Sequence, residues 1–402
     1  MNGVPRRGWF EPPSIGEMSI GAKVFTYAAL CCWAFVILLP IYWLLITAFK
    51  LPADVNGGPT YLPWVDFEPG LHAWRNIFVD DFGDMFKAYS NSIVVSLLST
   101  ALCVLIGSLA AYALVRIEYR PKFGSIVLFV LTFAAGCISI GHWGVDWRIG
   151  VAVTLVVFFL LWRAITRRRL SDGQMIVVVA ALVLVVVAAL LTMHFAEQLA
   201  GHAMVIAIIA ALMLVGTSTA HWLKRSLGNP DILFWVISQR ILPPIVVVLP
   251  VYIMFQRIGL LDTHLALILS YAVVNLPIVV WLMHDFMSNI PIDLEESAQL
   301  DGASRLQTFW EVVLPLARPG LAATTLLTLI LSWNEYLLAV FLTTSRAQTM
   351  PIMVAAQISQ ERGIFWWNMS VVIIVMIIPV VVMAILLQRF IARGVLLGAV
   401  KG

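Results

Sequence analysis

VFTYAALCCWAFVILLPIYWLLIT, residues 24–47, runs for two dozen positions without a charged side chain. As a helix it would be about 36 Å long, enough to cross a hydrocarbon layer of about 30 Å. Arg6, Arg7 and Lys23 precede it and Lys50 follows. A removable leader has a shorter apolar region closed by a small-x-small cleavage site, and none stands before Lys50. The segment is therefore expected to stay in place as a first transmembrane helix. Peptide groups in lipid have no water to bond, so an apolar run of this length must pair its backbone internally, as a helix.

Nine more segments have similar length and character: 89–115, 124–143, 149–166, 174–193, 202–222, 232–256, 263–287, 319–343 and 368–390. The bulk composition agrees. Of 402 residues, 61% are hydrophobic and 12% charged, against about 25% charged in ordinary soluble domains. So few charges cannot cover a soluble fold of this size, and lipid must be the main solvent. The expected fold class is all-α, a polytopic membrane helix bundle of about ten spans.

A net charge of +3 gives no reason to expect a nucleic-acid partner. Cys31, Cys32, Cys103 and Cys137 all fall inside apolar runs, and the seven histidines are scattered. Neither a disulfide, a metal site nor a catalytic cluster is expected.

Lys and Arg set the orientation. With the N-terminus inside and ten crossings, the inner stretches hold Arg6, Arg7, Lys23, Arg116, Arg120, Lys122, Arg163, Arg167, Arg168, Arg169, Lys224, Arg225, Arg305, Arg318, Arg389, Arg393 and Lys401, 17 of the 25 basic residues. The outer stretches hold Lys50, Arg75, Lys87, Arg148, Arg257, Arg346 and Arg362, and Arg240 lies within a span. Both termini are expected to be cytoplasmic. An outer loop over 48–88, with Trp64, Trp74 and Phe78, is expected at the membrane interface or the outer mouth.

The cytoplasmic stretch 288–318 reads SNIPIDLEESAQLDGASRLQTFWEVVLPLAR. Pro291 suits a helix start, and Asp293, Glu295 and Glu296 place negative charge where the helix dipole favours it. Gly302 stands where a left-handed terminating residue is wanted. Ser304 and Gln307 make a capping box for a second helix, in which Leu306, Phe309, Trp310 and Val313 form an apolar stripe. A helix–turn–helix with an acidic edge and an aromatic edge is a docking surface. Patterning alone also fits a solvated connector between two spans.

Glu296-Ser297-Ala298, Gly302 and Val312-x-Leu314-Pro315 resemble the EAA loop of binding-protein-dependent ABC importer permeases. The family pattern is Glu-Ala-Ala, three residues, Gly, nine residues, Ile-x-Leu-Pro. Ser297 and Val312 are the departures, one small and one near-isosteric. Leu242-Pro243-Pro244, Gly259-Leu260-Leu261-Asp262-Thr263, Asp301-Gly302-Ala303-Ser304, Trp333-Asn334-Glu335-Tyr336 and the tail from Arg393-Gly394 to Gly402 resemble the carbohydrate-uptake branch, similar to the second membrane subunit of the maltose importer.

The resemblance implies a permease for a sugar, polyol or related small carbohydrate, working with two ATP-binding cassette subunits, a second permease and an external solute-binding protein. It implies that the loop seats in a cleft of the ATPase, with Glu296, Ala298, Asp301, Gly302, Leu314 and Pro315 as coupling residues, Glu296 pairing with an ATPase arginine and Gly302 permitting the turn. It also implies a bacterial inner-membrane location.

Such permeases usually have six spans. The excess here lies in 123–230, giving an expected division into an N-terminus 1–23, core spans 24–122, inserted helices 123–230, core spans 231–392 and a tail 393–402. Four inserted crossings keep the 288–318 loop inside. The inserted segments carry almost no charge within the membrane, which places them outside the transport route. Polar residues inside the core spans, Asn91, Gln239, Arg240, Asn275, Asn334 and Glu335, are pathway candidates or bundle-stabilising hydrogen bonders.

No Gly-x-x-x-x-Gly-Lys-Ser/Thr phosphate loop occurs. The chain is therefore expected to be no enzyme and to bind no cofactor, with ATP and Mg held by the partner ATPases. An ion-coupled secondary transporter, which calls for paired repeats and intramembrane carboxylates, and a membrane scaffold are the competing readings.

Overall fold

The computed structural model describes residues 18–144, 146–166, 172–195, 200–223, 226–359 and 363–399. Arg6, Arg7, the Arg167-Arg168-Arg169 turn, Lys224, Arg225, Arg362 and Lys401 lie outside the described residues. The described residues are mostly helical, and among them Ile358–Ser359 pairs antiparallel with Gly363–Ile364.

Among the described residues, seven helices are long and apolar enough to cross a membrane: Ile20–Thr47, Phe82–Arg116, Phe123–Trp143, Arg148–Ile165, Gly201–Trp222, His264–Ser288 and Trp366–Leu386. The count rises to nine if each of two bent helix pairs is one span; ten is not confirmed. The expected span over 232–256 is two helices, Asn229–Ile241 and Pro244–Arg257, meeting at 88°. Pro243 and Pro244 supply no amide hydrogens and push the residue before each out of helical geometry, so the axis turns there. The expected span over 319–343 breaks at Asn334: Arg318–Trp333 ends, and Leu337–Leu342 begins after three intervening residues. Upstream, Arg305–Leu316 meets Arg318–Trp333 at 82°. Over 174–193 the helix is Asp172–Phe195, with Met175–Ala188 as its described apolar part. The last helix, Trp366–Ala399, continues well past residue 390.

The contacts divide the chain into two compact units. The first comprises Met1–Ala101, Leu260–Ala272 and Thr325–Gly402. Its core packs Ala48, Ala73, Ile77, Met85 and Ala88 of the 48–88 stretch against Met350, Trp367, Val371 and Val372. Trp74 stacks on Phe78 at 5.8 Å and packs against that core, and Trp64 is 82% exposed. Asp262 clasps the 344–347 segment, its carboxylate accepting the amide hydrogens of Thr344, Ser345, Arg346 and Ala347 at 2.9–3.2 Å.

The second unit comprises Leu102–Gly259 and Val273–Thr324. Within it Phe123–Trp143 packs on Ala200–Trp222 and on Trp147–Thr166, and Ala200–Trp222 packs on Asp172–Phe195. Gly124 lies so close to the Thr219–Ala220 backbone that any side chain would collide with it. The two ends of this four-helix segment are stitched together. The Leu227 amide donates to the Pro121 carbonyl at 2.9 Å, and Lys122 forms an antiparallel bridge with Ser226.

Candidate functional site

The 288–318 segment lies entirely in the second unit. Its first helix is Asp293–Leu300, with Asp293, Glu295 and Glu296 in the first turn. It stops at Gly302, which has φ = +93°. The Gly302 amide donates to Gln299 O and the Ala303 amide to Ala298 O, both at 3.0 Å. This is the six-to-one and five-to-two pattern that closes a helix through a left-handed glycine. Ser304 then caps the second helix. Its hydroxyl accepts from the Gln307 amide at 3.3 Å, and the Gln307 side chain accepts from the Ser304 amide at 2.8 Å. Arg305–Thr308 passes into a π-helical turn, Phe309–Val313, and then Leu314–Leu316.

The expected apolar stripe divides. Phe309 and Val313 are buried, while Leu306 and Trp310 are about half exposed. Leu300 is 88% exposed, and Ile292, Leu294 and Leu316 each stand near half exposure. Glu296, Asp301, Gly302 and Gln299 are exposed as well; Ala298, Leu314 and Pro315 are half-buried. The segment therefore presents apolar side chains interleaved with carboxylates. An exposed surface of that composition is suited to a protein partner.

A pair the sequence reading did not single out fixes the segment. Glu295, next to Glu296, is 2% exposed. Its Oε1 meets Arg116 Nε at 2.6 Å, and its Oε2 accepts from the Tyr112 hydroxyl at 3.0 Å. Arg116 also donates from Nη2 to the Ile290 carbonyl at 2.8 Å. Removing one partner of a buried ion pair costs about 3–5 kcal/mol because the other charge is left uncompensated. The Tyr112 ring packs on Phe309 at 5.2 Å between centroids. Asn229 closes the same end of Phe82–Arg116: its amide donates to Leu114 O at 2.6 Å and Ile117 O at 2.7 Å, and its Oδ1 accepts from the Tyr119 amide at 2.9 Å. Nothing local in the sequence separates Glu295 from Glu296, since their partners lie far away in the chain. Arg116 stood there only as a topology marker.

The polar residues of the spans are divided between the two units: Asn91, Asn334 and Glu335 fall in the first, Gln239, Arg240 and Asn275 in the second. Asn91 is buried and fully used, donating to Arg346 O at 3.0 Å and Gln348 O at 2.8 Å and meeting His264 Nε2 at 2.7 Å. Asn275 is buried within His264–Ser288. Arg240 donates to the Val274 carbonyl at 3.1 Å, and Gln239 sits exposed in a single 3₁₀ turn. Asn334 and Glu335 occupy the break between Trp333 and Leu337. Glu335 Oε1 accepts from the Leu338 amide at 3.1 Å, capping the next short helix, and its carbonyl accepts from the Tyr271 hydroxyl at 3.2 Å. Asn334 lines an open cavity of about 550 Å³ with Tyr336, Pro351, Met369 and Met376. Among the described residues no group of three or more His, Cys, Asp or Glu could hold a metal ion.

Comparison with known proteins places these features in context. Residues 203–397 match the family model described as "Binding-protein-dependent transport system inner membrane component". The trehalose/maltose transport system permease protein MalG of Thermococcus litoralis is 33% identical over 216 residues, 52% of this chain and 77% of that protein. The sulfoquinovosyl glycerol transport system permease protein SmoH of Agrobacterium fabrum is 25% identical over 369 residues, 91% of this chain and 89% of its own length. Among solved structures, a chain of a bacterial ABC transporter involved in the import of the acidic polysaccharide alginate matches with a TM-score of 0.50 at 18% identity, covering 92% of this chain and 96% of that one. At that identity the likeness concerns fold alone.

Proposed function

Since the chain belongs to the family of binding-protein-dependent transport system inner membrane components, we propose that it is the permease subunit through which a sugar or related small carbohydrate crosses the membrane at the expense of ATP. The sugar class is supported by the trehalose/maltose and sulfoquinovosyl glycerol permeases it resembles. The ATP and Mg sit on two separate ATPase subunits, a second permease completes the pore, and an external binding protein delivers the substrate. Both termini face the cytoplasm, the side that holds 17 of the 25 basic residues. Residues 24–122 and 231–392 form the transporting core, and 123–230 is an addition at its periphery.

One observation carries the coupling role. The 293–310 helix–turn–helix exposes Glu296, Asp301, Leu300, Leu306 and Trp310 on a scaffold that Gly302 and the Ser304 cap hold rigid. In this reading Glu296 pairs with a basic residue of the ATPase, and Leu300 and Trp310 fill the apolar part of its cleft. Ala298, Leu314 and Pro315 shape the turn that presents them. When the ATPases close on ATP, the seated loop moves with them.

Glu296→Lys tests this. The variant should insert normally in the membrane but lose its ATPase subunits on purification, and uptake into proteoliposomes containing all partners should fall at least about tenfold, the cost of one reversed contact at an interface centre. If ATPase subunits and uptake are both retained, the loop is not the coupling surface. Uptake driven by an ion gradient without any ATPase would remove the proposal altogether.

A further inference from the structure

Tyr112 and Arg116 are four residues apart, one above the other on the same face of Phe82–Arg116. Together they take up both carboxylate oxygens of Glu295, on the first helix of the 288–318 segment. The Tyr112 ring also packs on Phe309, in the second helical stretch beyond Gly302. The Arg116 guanidinium reaches the Ile290 carbonyl ahead of the first helix. Three points along the segment, at 290, 295 and 309, are therefore fastened to a single turn of one helix.

That helix has few ways to yield. It runs without a break for 35 residues, about 52 Å. The clamped end itself is bound by Asn229 at Leu114 and Ile117, and at Gly107 the helix lies against Val279 with no space for even a methyl group. Exposed Glu296 and buried Glu295 point in different directions from adjacent positions of one helix. One is free to meet a partner and the other is committed inside the chain.

We propose that the Glu295–Arg116–Tyr112 clamp is the joint that passes motion of the docking loop into helix Phe82–Arg116. The proposal rests on the coupling role given above. With the clamp closed, displacement of 293–310 cannot be absorbed by bending at the loop and moves residues 112–116 directly. With it open, the loop follows the ATPase while the helix stays behind. Glu295, Arg116 and Tyr112 act as positioning residues: each works through the helix and none touches substrate or nucleotide.

The test is the number of substrate molecules moved per ATP in proteoliposomes holding the complete importer, read as uptake against phosphate release. Glu295→Gln and Arg116→Gln should stay assembled with their ATPases and continue to hydrolyse ATP while substrate moved per ATP falls by about tenfold. Arg116→Lys keeps a charge without the forked geometry and should recover part of that loss. Should the Glu295 variant fail to assemble, Tyr112→Phe decides the matter. It keeps the ring on Phe309, removes one hydrogen bond, and should lower the ratio by about threefold. An assembled Glu295→Gln importer, or failing that a Tyr112→Phe importer, with the natural ratio overturns the joint. That outcome is distinct from failure of the docking reading, in which Glu296→Lys would keep both its ATPases and its uptake.

Discussion

At Gly302 the backbone sits at φ = +93°, yet a methyl group added there would meet nothing within 4 Å. Substitution therefore acts through backbone strain alone, about 1–2 kcal/mol for a non-glycine residue in a left-handed conformation. Gly302→Ala should loosen the turn and weaken binding of the ATPase subunits by up to about tenfold, measured by titrating detergent-solubilised permease with purified ATPase. Gly302 and the Ser304–Gln307 box were legible in the sequence because turn and cap chemistry is local: the residues that need each other are within five positions. Which of Glu295 and Glu296 would be buried was not legible, because it depends on a guanidinium 179 positions away. Which side chains of the apolar stripe would be buried was not legible for the same reason: Phe309 packs on Tyr112, far back in the chain, while Leu306 and Trp310 stay exposed.

Among the elements, the clasp at Asp262 gives the clearest pH-dependent expectation. Burial opposes ionisation of this carboxylate, but the four amides from Thr344 to Ala347 outweigh it and hold its pKa well below the usual carboxylate range. A depressed folded pKa means that the stabilisation is fully present above the ordinary Asp value near ~3.9 and is lost only as pH falls through the folded value. The clasp should thus remain closed throughout pH 5–8. Asp262→Asn should open it, raising hydrogen exchange of the 344–347 amides by about tenfold or more, as read by mass spectrometry at peptide resolution. Helix existence was legible from apolar run length, and helix continuity was not. Pro243-Pro244 could equally begin a span or break one; here they turn the chain by 88°. Asn334 and Glu335 interrupt Arg318–Trp333 because the Glu335 side chain caps the following short helix, a local hydrogen bond that competes with the regular ladder.

For the molecule as a whole, the stitched ends of the four-helix segment 123–222 allow a test of what it contributes. Pro121 and Leu227 are already hydrogen-bonded neighbours, so joining them through two glycines should close the gap without strain. A chain lacking 122–226 should still assemble and retain uptake within about threefold if these helices, which carry almost no charge within the membrane, stand outside the route. An assembled but inactive deletion would show that they take part in transport. The all-helical membrane class was legible from composition and run length, since both reflect the solvent around the chain. The four helices between Phe123 and Trp222 were legible as apolar runs, but the stitching of their ends was not, because it depends on a pairing across a hundred residues. The Arg116–Glu295 pairing also has a consequence in time. Ribosomes add roughly 5–20 residues per second, so the 179 residues between Arg116 and Glu295 take roughly 10–35 s to synthesise at that rate. Until then Arg116 has no Glu295 carboxylate to meet, and most of the delay is spent making residues 123–230. The clamp can close only late in the life of the nascent chain, after that four-helix segment has been made.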